Sequence, residues 1–221
     1  MDSHPYHLGL PQRQPARRVL RASQRGASLV VSLLMLVAVL LLGISAASMA
    51  LQGEKAARGD RDRQIAFQAA EAALMDAEID IENSTASNSR SALFKEKDVQ
   101  VELFITGCGA GTANQSLGLC QPAAAGQTPV WLAVDFSDTG ASSTKSVPYG
   151  FFTGQTMQTG IGATPARLPR YIIEIFVDNQ AGGSTSPEEA SYIYRVTAIG
   201  YGMRDSTKVT LQTFYRKVEK T

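Results

Sequence analysis

The sequence predicts an α+β chain in which one long N-terminal helix, transmembrane over its first half, packs on a C-terminal antiparallel β-sheet. Three observations carry this. No charged residue occurs from position 26 to position 53. The helical pattern then continues past Glu54 without a break. After residue 90 the period changes from helical to alternating. A chain of 221 residues, 44% of them hydrophobic, suits one globular domain plus one membrane element.

The first segment, residues 1–26, is a basic arm holding Arg13, Arg17, Arg18, Arg21 and Arg25 against Asp2 alone. The whole chain has a net charge of +1, which gives no sign of a nucleic-acid binder. Without the arm, 16 basic and 19 acidic residues remain, a net of −3. Positive charge is therefore concentrated just before the apolar run, where it orients a chain in a membrane. His4 and His7 are the sequence's 2 histidines, and both lie in the arm. A chain that loses the arm has no Ser-His-Asp or Cys-His nucleophile and no His-ligated metal.

The second segment, residues 27–52, is densest in Leu, Val and Met from Leu29 to Leu42 and softens into Ser, Ala and Gly beyond Gly43. As a helix, positions 26–53 would span about 42 Å, more than the roughly 30 Å of bilayer hydrocarbon. Three fates fit the run: a permanent signal anchor, a secretory signal cut after Ala50, or a leader cut before the run begins. Both arm and run are long for a secretory signal. The helical pattern that follows also favours the cut before the run.

The third segment, residues 53–83, continues the helix. Ile65, Ala69, Ala73 (or Ala72) and Ala77 fall on one stripe, with Phe67, Leu74 and Ile81 beside it. Arg61, Asp62, Arg63, Glu71, Asp76, Glu78 and Asp80 are assigned to the remaining, polar surface. Gly53 and Gly59 either let the helix bend or are merely tolerated. Asn83-Ser84-Thr85 ends the pattern.

The fourth segment, residues 84–221, is the β domain. Its predicted strands are Val99–Thr106, Val130–Phe136, Tyr171–Val177, Tyr192–Ala198 and Lys208–Arg216, the last two joined as a hairpin through Gly200–Thr207. Segments 107–129 and 137–170 are long for passive loops. The second contains Tyr149, Phe151 and Phe152, which either mark a contact surface or pin the loop to its own domain.

Few motifs point to chemistry. Cys108 and Cys120 are the sequence's 2 cysteines, too few for a four-thiolate zinc site. In an exported domain the pair reads as a disulfide; the other reading is two unrelated thiols. Gly107–Gly111 has the glycines of a phosphate cradle without its lysine or following helix. Asp178 and Asn179 with Glu188 and Glu189 offer oxygen ligands for calcium, but not at EF-hand spacing, and read as a solvated loop. Asp135 and Asp138 read the same way. No carboxylate spacing singles out an acid–base pair, and no cofactor is expected.

The run Gln24-Arg25-Gly26-Ala27-Ser28-Leu29-Val30-Val31-Ser32-Leu33-Leu34 resembles the start of a type IV prepilin, specifically of the PilX family of minor pilins. Phe67-Gln68-Ala69-Ala70-Glu71-Ala72-Ala73-Leu74-Met75-Asp76-Ala77-Glu78 is similar to that family too. So are Tyr194–Gly200 and Val209–Arg216 near the end. The resemblance covers about residues 24–82 and 192–216 and implies a type IV pilin-like fold. It further implies cleavage after Gly26 by a prepilin peptidase and N-methylation of Ala27. The implied partners are other minor pilins, the major pilin, a tip-associated adhesin and the inner membrane. Before assembly the chain would cross that membrane once, N-terminus cytoplasmic and C-terminal domain periplasmic; afterwards it would sit at the pilus tip. Most pilins carry Glu at the fifth mature position, where this chain has Val31. A carboxylate held in lipid is costly unless paired, and in pilins it pairs with a neighbour's amino terminus. Val31 cannot pair, which suits an initiating subunit. Two alternatives are a type II secretion minor pseudopilin, whose K component also lacks that Glu, and a periplasmic binding protein with an ordinary signal.

Overall fold

The computed structural model describes residues 27–95, 98–178 and 191–217. The chain divides into two compact units, Met1–Gly53 and Glu54–Thr221. One helix, α1 (Ala27–Glu82), contributes to both.

In the first unit, α1 is exposed at every described position. It is long and apolar enough to cross a membrane. Its serine hydroxyls donate back to their own helix: Ser32 to the Leu29 carbonyl and Ser45 to the Leu41 carbonyl, both at 2.9 Å. Such back-bonding removes unsatisfied donors from a surface meant for lipid. The helix runs unbroken through Gly53 and Gly59, where an added Cβ would meet nothing within 4 Å.

In the second unit, α1 lies on a sheet. The strands are β1 (Phe94–Lys95), β2 (Asp98–Val99), β3 (Ile105–Thr106), β4 (Leu119–Gln121), β5 (Val147–Pro148), β6 (Arg170–Val177), β7 (Tyr192–Tyr201) and β8 (Lys208–Tyr215). β1 and β2 form a small two-stranded antiparallel sheet; the main sheet has the order β3-β4-β6-β7-β8, with β5 also pairing β6. The predicted α+β architecture of a pilin-like chain is the one observed.

The sheet is antiparallel where its long strands meet, but β3–β4 and β4–β6 pair in parallel. Parallel neighbours need a crossover, because a tight turn cannot return the chain to the same end. That accounts for much of the length of segments 107–129 and 137–170, which carry these returns.

Two predicted strands are corrected. Val99–Thr106 is broken by a 3-10 turn at Val101–Leu103. Val130–Phe136 begins as a short helix, α2 (Val130–Ala133), directly after Pro129. Val130 and Val134 are both buried, four residues apart, while Leu132 between them is 59% exposed. The apolar period there is that of a helical turn and not of a strand. The predicted hairpin is present, but β7 runs on through Gly200 to Tyr201, so the turn is shorter than expected.

Between helix and sheet lies the main core, which includes Ala73, Ala77, Ile81, Phe94, Phe104, Ile173 and Val196. Tyr194 meets Phe94 edge-on, centroids 5.4 Å apart. A second cluster covers the other face of the sheet, with α2 and the Cys108–Cys120 pair against Ile172, Ile199 and Tyr201.

Candidate functional site

The predicted processing site lies at the edge of the described structure. Gly26, like the rest of the arm with His4 and His7, is outside the described residues. Ala27 opens α1. Val31 follows one turn later, with 54% of its surface exposed. From Ala27 to Gly53 this helix presents no charge, and its polar side chains are serine hydroxyls and the Gln52 amide.

Past Gly53 the same helix carries three buried carboxylates. Asp62, Asp76 and Asp80 are each at most 1% exposed. The sequence reading placed them on the polar surface; the structure puts them in the stripe that faces the sheet. Their spacing held the signal, because Asp62, Ala66, Ala69, Ala73, Asp76 and Asp80 recur every three or four residues. A polar residue on an apolar stripe is a buried group awaiting a partner.

Each aspartate is met by a different part of the chain. Asp62 receives Arg204 Nε at 2.9 Å, Thr207 Oγ1 at 2.6 Å and the Arg204 amide at 3.3 Å, all from the β7–β8 turn. Burial raises its pKa, but the bonds from Thr207, Arg204 and nearby amides outweigh that and hold it below the ordinary 3.8. Asp76 accepts from the Gly150 amide at 2.7 Å and from the Thr153 hydroxyl. Here burial prevails, Asp80 adds repulsion, and the pKa rises above 3.8 despite those two bonds.

Asp80 anchors the most buried network. Arg90 Nε donates to both its oxygens at 3.1 Å and Nη2 to Oδ2 at 2.7 Å. Tyr171 Oη donates to Oδ2 at 2.9 Å. Arg90 Nη1 donates to the carbonyls of Gln115 and Leu117 at 2.7 and 2.6 Å, and the guanidinium lies 3.9 Å from the Phe152 ring centroid. Charge and hydrogen-bonding capacity are matched, the condition under which a buried ion pair is tolerable.

Both carbonyls that Arg90 reaches lie inside the loop closed by Cys108 and Cys120, which are bonded to each other as a disulfide. Gly107 and Cys108 have φ of 75° and 72°, a conformation a glycine takes readily and a cysteine rarely. At Gly109 an added Cβ would fall 2.1 Å from the Ser116 carbonyl. The amides of Cys108, Gly109 and Gly111 already donate to Ile105, Leu119 and Thr144 carbonyls. The glycines of 107–111 thus serve close packing of the loop, and these amides are not free for a phosphate.

The remaining candidates are local. Asp135 accepts from the Ser137 amide and Asp138 from the Gly140 amide, both at 2.8 Å. Asp178 pairs with Arg216; Asn179, Glu188 and Glu189 lie outside the described residues. Phe152 is buried, Phe151 packs against the main core and Tyr149 is half-buried, so these aromatics pin their loop to the domain. Among the described residues no group of three His, Cys, Asp or Glu is placed to hold a metal.

Every strongly built feature of the domain joins one piece of the fold to another. A family model described as Type IV pilus assembly protein PilX C-term matches residues 116–217, and one described as PilX N-terminal matches residues 25–74. No curated protein and no solved structure matches the chain. The matched segments hold the apolar part of α1, its continuation through Asp62 to Leu74, and the sheet from β4 to β8, and the chain belongs to the PilX family of type IV pilus minor pilins.

Proposed function

We propose that this minor pilin is cut after Gly26 by prepilin peptidase, methylated on Ala27, and built into the pilus tip as an initiating subunit. Its role is structural and not catalytic. With the other minor pilins it starts the fibre, the major pilin extends it, and the tip displays an adhesin. Before assembly the chain crosses the inner membrane once, with the arm cytoplasmic and the β domain periplasmic. The basic arm followed directly by the uncharged run supports that orientation.

The observation that carries the tip assignment is Val31, within a helix segment that has no charged residue from Ala27 to Gly53. A subunit without an intramembrane carboxylate cannot neutralise the amino terminus of a subunit already in the fibre. It is therefore suited to be the subunit that others join. Sequencing the mature N-terminus tests the processing on which this depends. A chain beginning at methylated Ala27 is expected; one beginning at Leu51 overturns it.

A further inference from the structure

The β3 and β8 edges of the sheet are unlike. At one, β3 is two residues long and gives way at once to the left-handed Gly107–Cys108 turn and the disulfide. At the other, β8 is eight residues long and pairs residue for residue with β7 from Lys208 to Tyr215, with no bulge. Sheets usually blunt an open edge with proline, a bulge, a very short strand or an inward charge. β3 is blunted by its shortness; β8 carries none of these along Val209–Tyr215 and has a charge, Lys208, only at its start. Its segment Val209–Tyr215 is uncharged, free of proline and glycine, and rich in β-branched and aromatic residues, the composition most prone to pair with another strand.

Which groups face the open edge follows from the ladder. The Asp178 amide donates to the Ser191 carbonyl, and the Gly202 amide to the Thr207 carbonyl, both at 2.8 Å. Strand alternation then directs odd-numbered residues of β8 towards β7. The amides and carbonyls of Lys208, Thr210, Gln212 and Phe214 point away from it. Among the described residues no backbone or side-chain group bonds them there. At about 3.4 Å per residue this open edge is roughly 27 Å long. No residue of β8 is buried, and Phe214 is 60% exposed beside Phe176.

We propose that the free edge of β8 receives an extended segment of a different protein as an added antiparallel strand, uncharged along its middle and acidic at its ends. A second copy of this chain is the wrong occupant. Two β8 strands paired about Gln212 set Lys208 of each copy against Arg216 of the other, and like charges directly opposite are unfavourable. Arg216 is already matched by Asp178, and Lys208 lies 5.8 Å from the Tyr201 ring centroid, so the Lys208 end offers the stronger demand for a carboxylate. This inference goes beyond the tip assignment and stands on the sheet alone.

The test uses the full-length chain in detergent micelles and a synthetic peptide of alternating Thr and Val with Asp at each end. Saturating peptide should slow hydrogen exchange of the Thr210 and Gln212 amides at least tenfold. Thr210→Pro removes one free-edge donor without touching the ladder to β7, and should weaken binding at least tenfold with the thermal midpoint unchanged. Lys208→Glu, which needs no backbone change, should weaken the Asp-ended peptide and strengthen a Lys-ended one. Unchanged exchange at Thr210 and Gln212, or equal binding by Lys208→Glu, overturns the proposal. So does exchange already slow without peptide: if it depends on protein concentration the edge belongs to a second copy, and if it does not, to the chain itself.

Discussion

The two parts of α1 share one backbone geometry and almost nothing else. From Ala27 to Gly53 the helix is exposed on all sides, and its Ser32, Ser45 and Ser48 hydroxyls donate to its own carbonyls. From Glu54 to Glu82 it has a face so closely covered that Ala66, Ala70, Ala73 and Ala77 lose all exposure, with three aspartates set among them. A helix meant for lipid or for neighbouring helices needs only an apolar surface. One meant for its own sheet also needs its register fixed, and alanines cannot do that: they slide. The aspartates fix it, because each bonds to a different segment of the β domain. If so, substitutions at the carboxylates and their partners should destabilise the domain, each to its own degree, and substitutions in the first part should not.

The largest effect is expected at Arg90. Arg90→Leu leaves Asp80 charged, buried and short of three hydrogen bonds, and frees the carbonyls of Gln115 and Leu117. Breaking one side of a buried pair costs about 3–5 kcal/mol. Thermal unfolding of the full-length protein in detergent would show it as a drop of many degrees. The double variant Asp80→Leu with Arg90→Leu should recover part of the loss, since no lone charge remains.

Next comes the disulfide. Cys108 and Cys120 are 12 residues apart, and a loop of that size is worth up to about 3 kcal/mol in the chain-entropy model. Because Arg90 holds two carbonyls inside that loop, Cys108→Ser with Cys120→Ser should be non-additive with Arg90→Leu. A double-mutant cycle showing simple additivity would separate the loop from the ion pair. Thiol labelling of the exported protein without reductant should find no free cysteine.

Gly200→Ala probes the closeness of helix and strand. The new Cβ would fall 2.1 Å from the Ala66 carbonyl and 2.3 Å from the Ala70 amide, both backbone groups that cannot swing away. Overpacking of this kind costs about 1–3 kcal/mol, seen as a lower thermal midpoint. Had the helix only rested loosely on β7, the substitution would be neutral.

Much of this was legible in the sequence, for identifiable reasons. The uncharged run, the helical stripe and the strands Tyr171–Val177, Tyr192–Ala198 and Lys208–Arg216 were visible because each repeats one period long enough to be read. Val130–Phe136 misled because Val130, Val134 and Phe136 suit either period over so short a stretch. The parallel pairings of β3, β4 and β6 left only long loops as a trace, since register between distant segments has no local signature. Asp62, Asp76 and Asp80 were misassigned for a different reason. Charge suggested solvent, and the partners Arg204 and Gly150 lie far away in the chain, while Arg90 lies beyond the end of the helix.

A smaller effect, about 1 kcal/mol, is expected from Asp62→Asn, and its pH dependence sets it apart. The folded pKa of Asp62 is below 3.8, so its ionised form stabilises the fold above that pH. The contribution fades as pH falls through the folded value. The stability difference between wild type and Asp62→Asn should therefore shrink on acidification. Asp76 behaves oppositely: with its folded pKa raised, ionisation costs stability at neutral pH, and that cost disappears as pH falls through the folded value. Asp76→Asn should be the milder substitution at pH 7, its difference from wild type growing on acidification. Equal pH profiles for the two would mean that their surroundings do not differ as the structure has them.

The smallest effect on the fold, and the sharpest on the comparison, is expected from Val31→Glu. Val31 is exposed and belongs to the other compact unit of the chain, so the stability of the β domain should stay within about 0.5 kcal/mol of wild type. In the membrane the change is far from neutral. A carboxylate in the membrane costs up to the ~2.5–3.5 kcal/mol that insertion scales give for a helix centre, unless it finds a cation, and on the proposed assembly the amino terminus of a neighbouring subunit is such a cation. A variant with that hook should be taken up at internal positions of the fibre, altering fibre number and the amount of this subunit per fibre. Quantitative immunoblotting of sheared fibres measures both. An unchanged count and composition would remove Val31 as support for the proposed tip position, while leaving the carboxylate-locked part of α1 as it stands.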